Sequence, residues 1–299
     1  MIDGLPLSLL IGTKYGKHLC RIHKKPFMPI HHMEAHALTA RMHDKNIDFP
    51  FLVLLISGGH CLLAVAERMA RRMKLKNLPD YSRLSGGQAV ELAASKAADP
   101  LKFKFGIPML QYKDCNFSFA GIKNQLLMHL MREEREKGNY VYYIIYNVPP
   151  DGVIPCVNDL CAGLQLVMTR HICHRIQRGM EYVSQKKIIP PDKQTLVVSG
   201  GAACNNFIAK GLKMVCDEVG YKMVRPPPKL CTDNGVMIAW NGAERWKEKV
   251  GIFADFDDID VEKSSPLGES MADDVQNSNI SCKWVKLTKL NYPQSEWVD

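Results

Sequence analysis

Two short apolar runs that stop at the same three residues set the strongest limit on how this chain folds. Residues 51–59 read FLVLLISGG and residues 195–201 read TLVVSGG. A strand buried on both faces of a parallel sheet is apolar throughout, whereas a half-exposed strand alternates. Gly-Gly directly after a strand lets the backbone turn with positive φ and bring its N–H groups close to a ligand. His60 follows one turn and Ala202, Ala203, Cys204 and Asn205 follow the other. The pair therefore points to a phosphate or nucleotide site at strand ends, set against two unrelated strand-to-helix turns.

Helical patterns alternate with these runs. Leu160, Leu164, Met168, Ile172 and Ile176 recur every fourth residue, with Asn158 or Asp159 available to cap the start. Residues 236–249 read as a second helix, preceded by the polar stretch 231–235 and by a rigid extended Pro226-Pro227-Pro228 loop. Strands alternating with helices predict an α/β fold with a largely parallel sheet. Residues 264–299 show little periodicity and read as a loosely held tail.

Composition excludes some classes. No apolar run approaches the ~18 residues a membrane helix needs, so no membrane span is expected. The net charge of +8 favours an acidic partner such as RNA without demanding one. Ten cysteines without a CxxC pair or regular spacing read as reduced thiols of an intracellular protein. Residues 1–11 are largely apolar and basic residues follow them, the reverse of a secretory signal. Residues 7–11 read instead as the middle of a fold that has lost its beginning.

Three groups could carry chemistry. His32 and His36 are four apart in a helix-favouring stretch, so both imidazoles share one face and can grip one divalent metal. A zinc hydrolase of the H-E-x-x-H type is disfavoured, because Met33 stands where its glutamate belongs and Glu34 is turned away. Asp233, in CTDNG, reads either as a turn and helix cap or as a third ligand brought from far along the chain. His171, Cys173 and His174 do not point one way on a helix and read as packed residues. Arg68, Arg71, Arg72, Lys74 and Lys76 are the best local candidate for phosphate-backbone contact, with a solvated helix face as the alternative.

In combination the motifs are specific. HHMEAHALTARM (31–42), LLISGGH (54–60), FSFAGIKN (117–124), VVSGGAACNN (197–206) and LCTDNGVMIAWNG (230–242) occur in that order. The chain resembles the tRNA N6-adenosine threonylcarbamoyltransferase family over nearly its whole length, and the mitochondrial members most. The resemblance implies the two-lobed fold of actin, the heat-shock ATPases and sugar kinases. One lobe would comprise residues 50–235; residues 1–49 and 236–299 would form an incomplete first lobe plus the tail. It implies transfer of a threonylcarbamoyl group from threonylcarbamoyl-AMP to N6 of the adenosine 3′ of the tRNA anticodon, in mitochondria, and it leaves room for a homodimer. It implies one divalent metal ion on His32, His36 and Asp233. It implies substrate contacts at Leu55, Ile56, Ser57, Gly58 and Gly59, at Gly87 and Glu91, and at Cys204 and Asn205.

Two departures stand out. The family's first phosphate loop would lie before residue 1, and an acidic, glycine-containing segment with a substrate-contacting aspartate is missing after residue 66. The expectations that follow are exposed apolar surface, low stability, little or no transferase activity from this chain alone and, as an alternative to the transferase, a non-catalytic product that keeps only partner binding.

Overall fold

The run 195–199 becomes the middle strand of a parallel sheet. The computed structural model describes residues 6–56, 62–136, 152–262 and 265–290. Within them β1 (Leu52–Leu55), β2 (Thr195–Ser199) and β3 (Lys222–Val224) lie in the order β1-β2-β3, all parallel. Leu52 sits opposite Leu196, and Val197 opposite Val224. Every residue of β2 is buried, as a strand covered on both faces requires.

The helices, in chain order, are α1 (Pro6–His23), α2 (His32–His43), α3 (Leu62–Arg72), α4 (Gly86–Ser95), α5 (Ala120–Glu136), α6 (Val157–Gln185), α7 (Asn206–Val219), α8 (Pro228–Cys231), α9 (Gly235–Glu248) and α10 (Ala272–Asn277). On one face of the sheet Leu54, Leu196 and Val198 meet the main core, built around α4, α6 and α7. On the other face Val53, Val197 and Val224 pack against Ala40 of α2 and Ile47. The period-two alternation of the strand divides its side chains between the two layers.

The repeat from Leu160 to Ile176 is the buried stripe of α6, a helix of 29 residues. Its start differs from expectation. Asp159 does not cap α6; its carboxylate accepts from the N–H groups of Ala98 and Asp99, at 2.8 and 2.9 Å, and anchors the loop after α4. The proline loop is also shorter than expected. Pro227 is extended, but Pro228 opens α8, where its fixed φ suits the first turn.

α3 runs straight into the packing around α4. The Glu67 carboxylate accepts from the N–H of Gly86 at 2.7 Å. A Cβ on Gly86 would lie 2.3 Å from Glu67 Cα, so α3 and α4 touch backbone to backbone. Ser85 and Gln88 form a reciprocal capping box at the start of α4.

The expectation of a loose tail fails for residues 265–290. Val275, Leu287 and Leu290 are buried, and Trp284 stacks on His174 of α6 at 4.3 Å between ring centroids. Gln177 of α6 accepts from Val285 N–H at 3.1 Å and donates to Lys283 O at 2.9 Å. Anchors spaced irregularly along the chain follow the grooves of helices, so no period marks them. Ile11, Tyr15, Leu19 and Ile22 form an exposed apolar stripe on α1. No described helix is long and apolar enough to cross a membrane. The nine cysteines among the described residues are free thiols.

Candidate metal centre and nucleotide cleft

α2 begins with His31, whose Nδ1 accepts from Glu34 N–H at 3.4 Å while Nε2 meets Ser265 O at 3.0 Å. This start aims His32 and His36 along one face, with their rings edge to face at 4.8 Å between centroids. α9 is tied to α2 by two ion pairs, Arg245 with Glu34 and Arg41 with Glu244. The cap of α9 is Asn234, which accepts from Met237 N–H at 2.9 Å. Asp233 is therefore not used as a cap, and its carboxylate reaches the histidines. Oδ1 lies 2.9 Å from His36 Nε2 and 3.3 Å from His32 Nε2.

These three residues form the one group among the described residues able to hold a metal ion, with all ligand atoms within 4.8 Å of one another. Ligands at about 2.1 Å from a shared ion stand roughly 3 Å apart, which matches the two carboxylate–imidazole spacings. Two imidazole nitrogens and a carboxylate oxygen are a donor set for a divalent transition metal with positions left open for substrate. Burial pushes the His36 imidazole below its ordinary value, opposed by its hydrogen bond to Asp233 and reinforced by the nearby His32. A neutral imidazole is the ligating form. Asp233 is 67% exposed in its side chain, so the site opens to solvent on the carboxylate side.

Pro228, the first residue of α8, helps to line a cleft of about 310 Å³. Gly87 and Glu91 of α4, Cys204 and Asn205 line it together with Gln165 and Pro228. The four residues singled out from sequence on α4 and after β2 are thus brought together. The turn after β2 has Gly200 at φ 96°, a conformation that excludes a side chain, followed by a 3-10 turn over Gly201–Cys204. Ala202 N–H donates to Ile56 O at 3.1 Å and Ile56 N–H to Ser199 O at 2.9 Å, which seats the end of β1 beside this turn. Leu55 is the last residue of β1. Ser57, Gly58, Gly59 and the adjoining His60 lie outside the described residues.

The start of α7 is already occupied. Asn205 caps it through Ile208 N–H at 2.9 Å, and Glu91 Oε1 accepts from Asn206 N–H at 2.8 Å. Burial raises the Glu91 carboxyl above its ordinary value, against the two backbone N–H groups of Asn206 and Phe207 that hold it charged. The Glu91 carboxylate therefore meets the α7 N-terminus.

The other candidates are structural. His171 Nε2 accepts from Ser118 N–H at 3.2 Å between the rings of Phe117 and Phe119, which gives the FSF motif a packing role. Cys173 is buried in the core. Arg71 pairs with Glu67, Arg72 with Glu134, and Lys76 binds Leu84 O, so most of the basic run is committed within the fold. Burial, with Arg175 next, lowers His171 and His174 to about 4 from 6.5. Between those values the unfolded chain binds more protons than the folded one, so stability is lost as pH falls through that window. Urea unfolding midpoints are expected to drop from about pH 6.5 to about pH 4, and less steeply in His171→Leu; a flat wild-type profile would contradict this.

Comparison with known proteins gives the family. Residues 4–240 match the model of the tRNA N6-adenosine threonylcarbamoyltransferase family. This chain belongs to that family. It is 42% identical to a tRNA N6-adenosine threonylcarbamoyltransferase, mitochondrial, of Danio rerio, over 95% of this chain and 73% of the relative. It is 40% identical to a probable mitochondrial threonylcarbamoyltransferase of Drosophila melanogaster, with the same coverage. Identity to the human mitochondrial protein is 36%, over 95% of this chain and 71% of the relative. The resemblance to mitochondrial members read from the motifs is borne out, and the chain is placed in the mitochondrion with them.

Within the threonylcarbamoyltransferase family the sequence motifs account for the metal trio and for four cleft residues. They missed Gln165 and Pro228. Gln165 carries a local signal, as an amide on the buried face of α6 beside Leu164. Pro228 was legible only as part of the proline run.

Proposed function

We propose that this chain transfers the threonylcarbamoyl group from threonylcarbamoyl-AMP to N6 of the adenosine 3′ of the anticodon in mitochondrial tRNA, forming t6A. The observation that carries the reading is the meeting of His32 and His36 with Asp233, 197 residues beyond His36, next to a cleft lined by Gly87, Glu91, Cys204 and Asn205. The non-catalytic alternative is not favoured by relatives named transferases that align with 95% of the chain.

His32, His36 and Asp233 would hold the divalent ion, which when bound supplies a Lewis acid for oxygens of the acyl-adenylate. The rest of the work is positioning. Cleft residues hold the nucleotide half, and Glu91, partly exposed, offers a carboxylate oxygen to ribose hydroxyls. The tRNA amine attacks the carbamoyl carbonyl, a C–N bond forms, the C–O bond to phosphate breaks, and AMP and a proton leave. The leaving group is a good one, so no side-chain nucleophile is needed once the two substrates are aligned. We propose also the division into a lobe of residues 50–235 and an incomplete first lobe of residues 1–49 and 236–299 with the tail, the actin-like arrangement of these lobes, and a homodimer.

The test is a transfer assay with the purified 299-residue chain, a divalent metal, threonylcarbamoyl-AMP and an unmodified tRNA transcript. Nuclease digests are expected to contain t6A, with one AMP released per modified base. Release of AMP with no t6A would overturn the proposal.

A further inference from the structure

Gln165 breaks the apolar stripe of α6 and is only 3% exposed, yet one of its polar atoms has no partner. Its Nε2 donates to Asn205 Oδ1 at 3.2 Å. Its Oε1 is buried and unpaired among the described residues. A buried acceptor without a donor is costly, and native folds keep one chiefly where something else completes it. Gln165 lines the cleft.

The orientation of this amide is set by the backbone. The N–H of Ile208 can only donate, and Asn205 receives it at 2.9 Å, so the atom Asn205 presents there is its oxygen. That same oxygen faces Gln165, so the Gln165 atom opposite it must be the NH2 group. The carbonyl oxygen is left pointing elsewhere. Turning the amide over would set two acceptors against each other at Asn205. Gln165 therefore carries, in the wall of the cleft, a free acceptor that cannot become a donor.

The surroundings narrow what it accepts from. Leu164 and Met168 of α6 and Ile208 of α7 line the cleft near it, an apolar setting for a flat ring. The charged acceptor in the same cleft is Glu91, on α4 and partly exposed, where sugar hydroxyls would be served. An amide acceptor among apolar side chains suits an exocyclic amine on a heteroaromatic ring.

We propose that Gln165 Oε1 accepts a hydrogen bond from the 6-amino group of the adenine ring, and that Gln165 is the residue by which the cleft distinguishes an adenylate from a 6-oxopurine nucleotide. This rests on the reading of the cleft as the acyl-adenylate site. A 6-oxopurine would place its own oxygen against Oε1 with no proton between them. The locked amide could not turn to help.

The test is equilibrium binding of AMP, IMP, purine riboside 5′-monophosphate and 2′-deoxy-AMP to the full chain and to Gln165→Met. The wild type is expected to bind IMP about ten- to a hundredfold more weakly than AMP, the range for an acceptor left facing no donor. Purine riboside monophosphate, which lacks the amine but brings no oxygen, should fall between them. In Gln165→Met the AMP and IMP affinities should converge, while the 2′-deoxy penalty stays as in the wild type. Equal wild-type affinity for AMP and IMP would overturn the proposal and leave the cleft assignment standing. So would a Gln165→Met protein that keeps the wild-type ratio. If Gln165→Met does not fold, the order AMP, purine riboside monophosphate, IMP in the wild type decides alone. A wild type that binds none of the four would sink the cleft assignment, and the role of Gln165 with it.

Discussion

Asp233→Ala is expected to slow threonylcarbamoyl transfer by about three orders of magnitude, the loss of several kcal/mol of charge stabilisation. The folded chain should survive the change. Asp233 lies in the turn between α8 and α9 with its side chain 67% exposed, and Asn234, not Asp233, caps α9. The urea midpoint should therefore stay close to wild type while activity falls. Asn234→Ala is the informative contrast. It removes the cap of α9, at a cost of about 1 kcal/mol, but leaves the carboxylate in the chain. If Asp233→Ala loses stability and activity in equal measure, Asp233 is a structural residue and the metal assignment loses its third ligand.

Gly86→Val is expected to be the most damaging single substitution outside the metal site. The backbone of α3 passes so close that an added Cβ would lie 2.3 Å from Glu67 Cα and 2.7 Å from Glu67 N. Both obstructing atoms are backbone, so no side-chain rotation relieves the overlap. Overpacking of this kind costs about 1–3 kcal/mol, and the larger value is expected where a helix must move. The displaced helix would be α4, which carries Gly87 and Glu91 into the cleft and supports the cap of α7 through Glu91. Stability and AMP affinity should fall together. Measured by urea unfolding and nucleotide titration, a Gly86→Val protein with wild-type values of both would show that α3 does not pack on α4 in this way.

The contact between α3 and α4 illustrates what the sequence could not display. Residues 67–73 were readable as a basic helix, but their closeness to Gly86 depends on the chain between them turning back. The missing acidic segment hinted only that something there had shortened. β2, by contrast, was legible at once, because burial on both faces leaves an uninterrupted apolar run. His32 and His36 were legible because helical spacing alone puts them on one face. Asp233 was half legible. The CTDNG stretch announces a turn and a cap, but which of Asp233 and Asn234 does the capping depends on one residue of register, and that choice frees the carboxylate. Residues 265–290 were not legible, since Trp284, Leu287 and Leu290 find their places on α6 and α7 without any period of their own. Gln165 fell between the two cases. An amide on an apolar helix face is visible in the sequence, but its partner Asn205 lies 40 residues away.

The proposed transfer depends on a single ion shared by residues from two distant parts of the chain. Cobalt(II) titration followed by visible absorption measures this directly, because the ligand-field bands report the donor set of each bound ion. The wild type is expected to bind one equivalent, and His32→Ala, His36→Ala and Asp233→Ala should each weaken binding at that same equivalent and alter the same bands. An Asp233→Ala protein that keeps the wild-type spectrum and affinity, while the histidine variants lose them, would contradict the shared site.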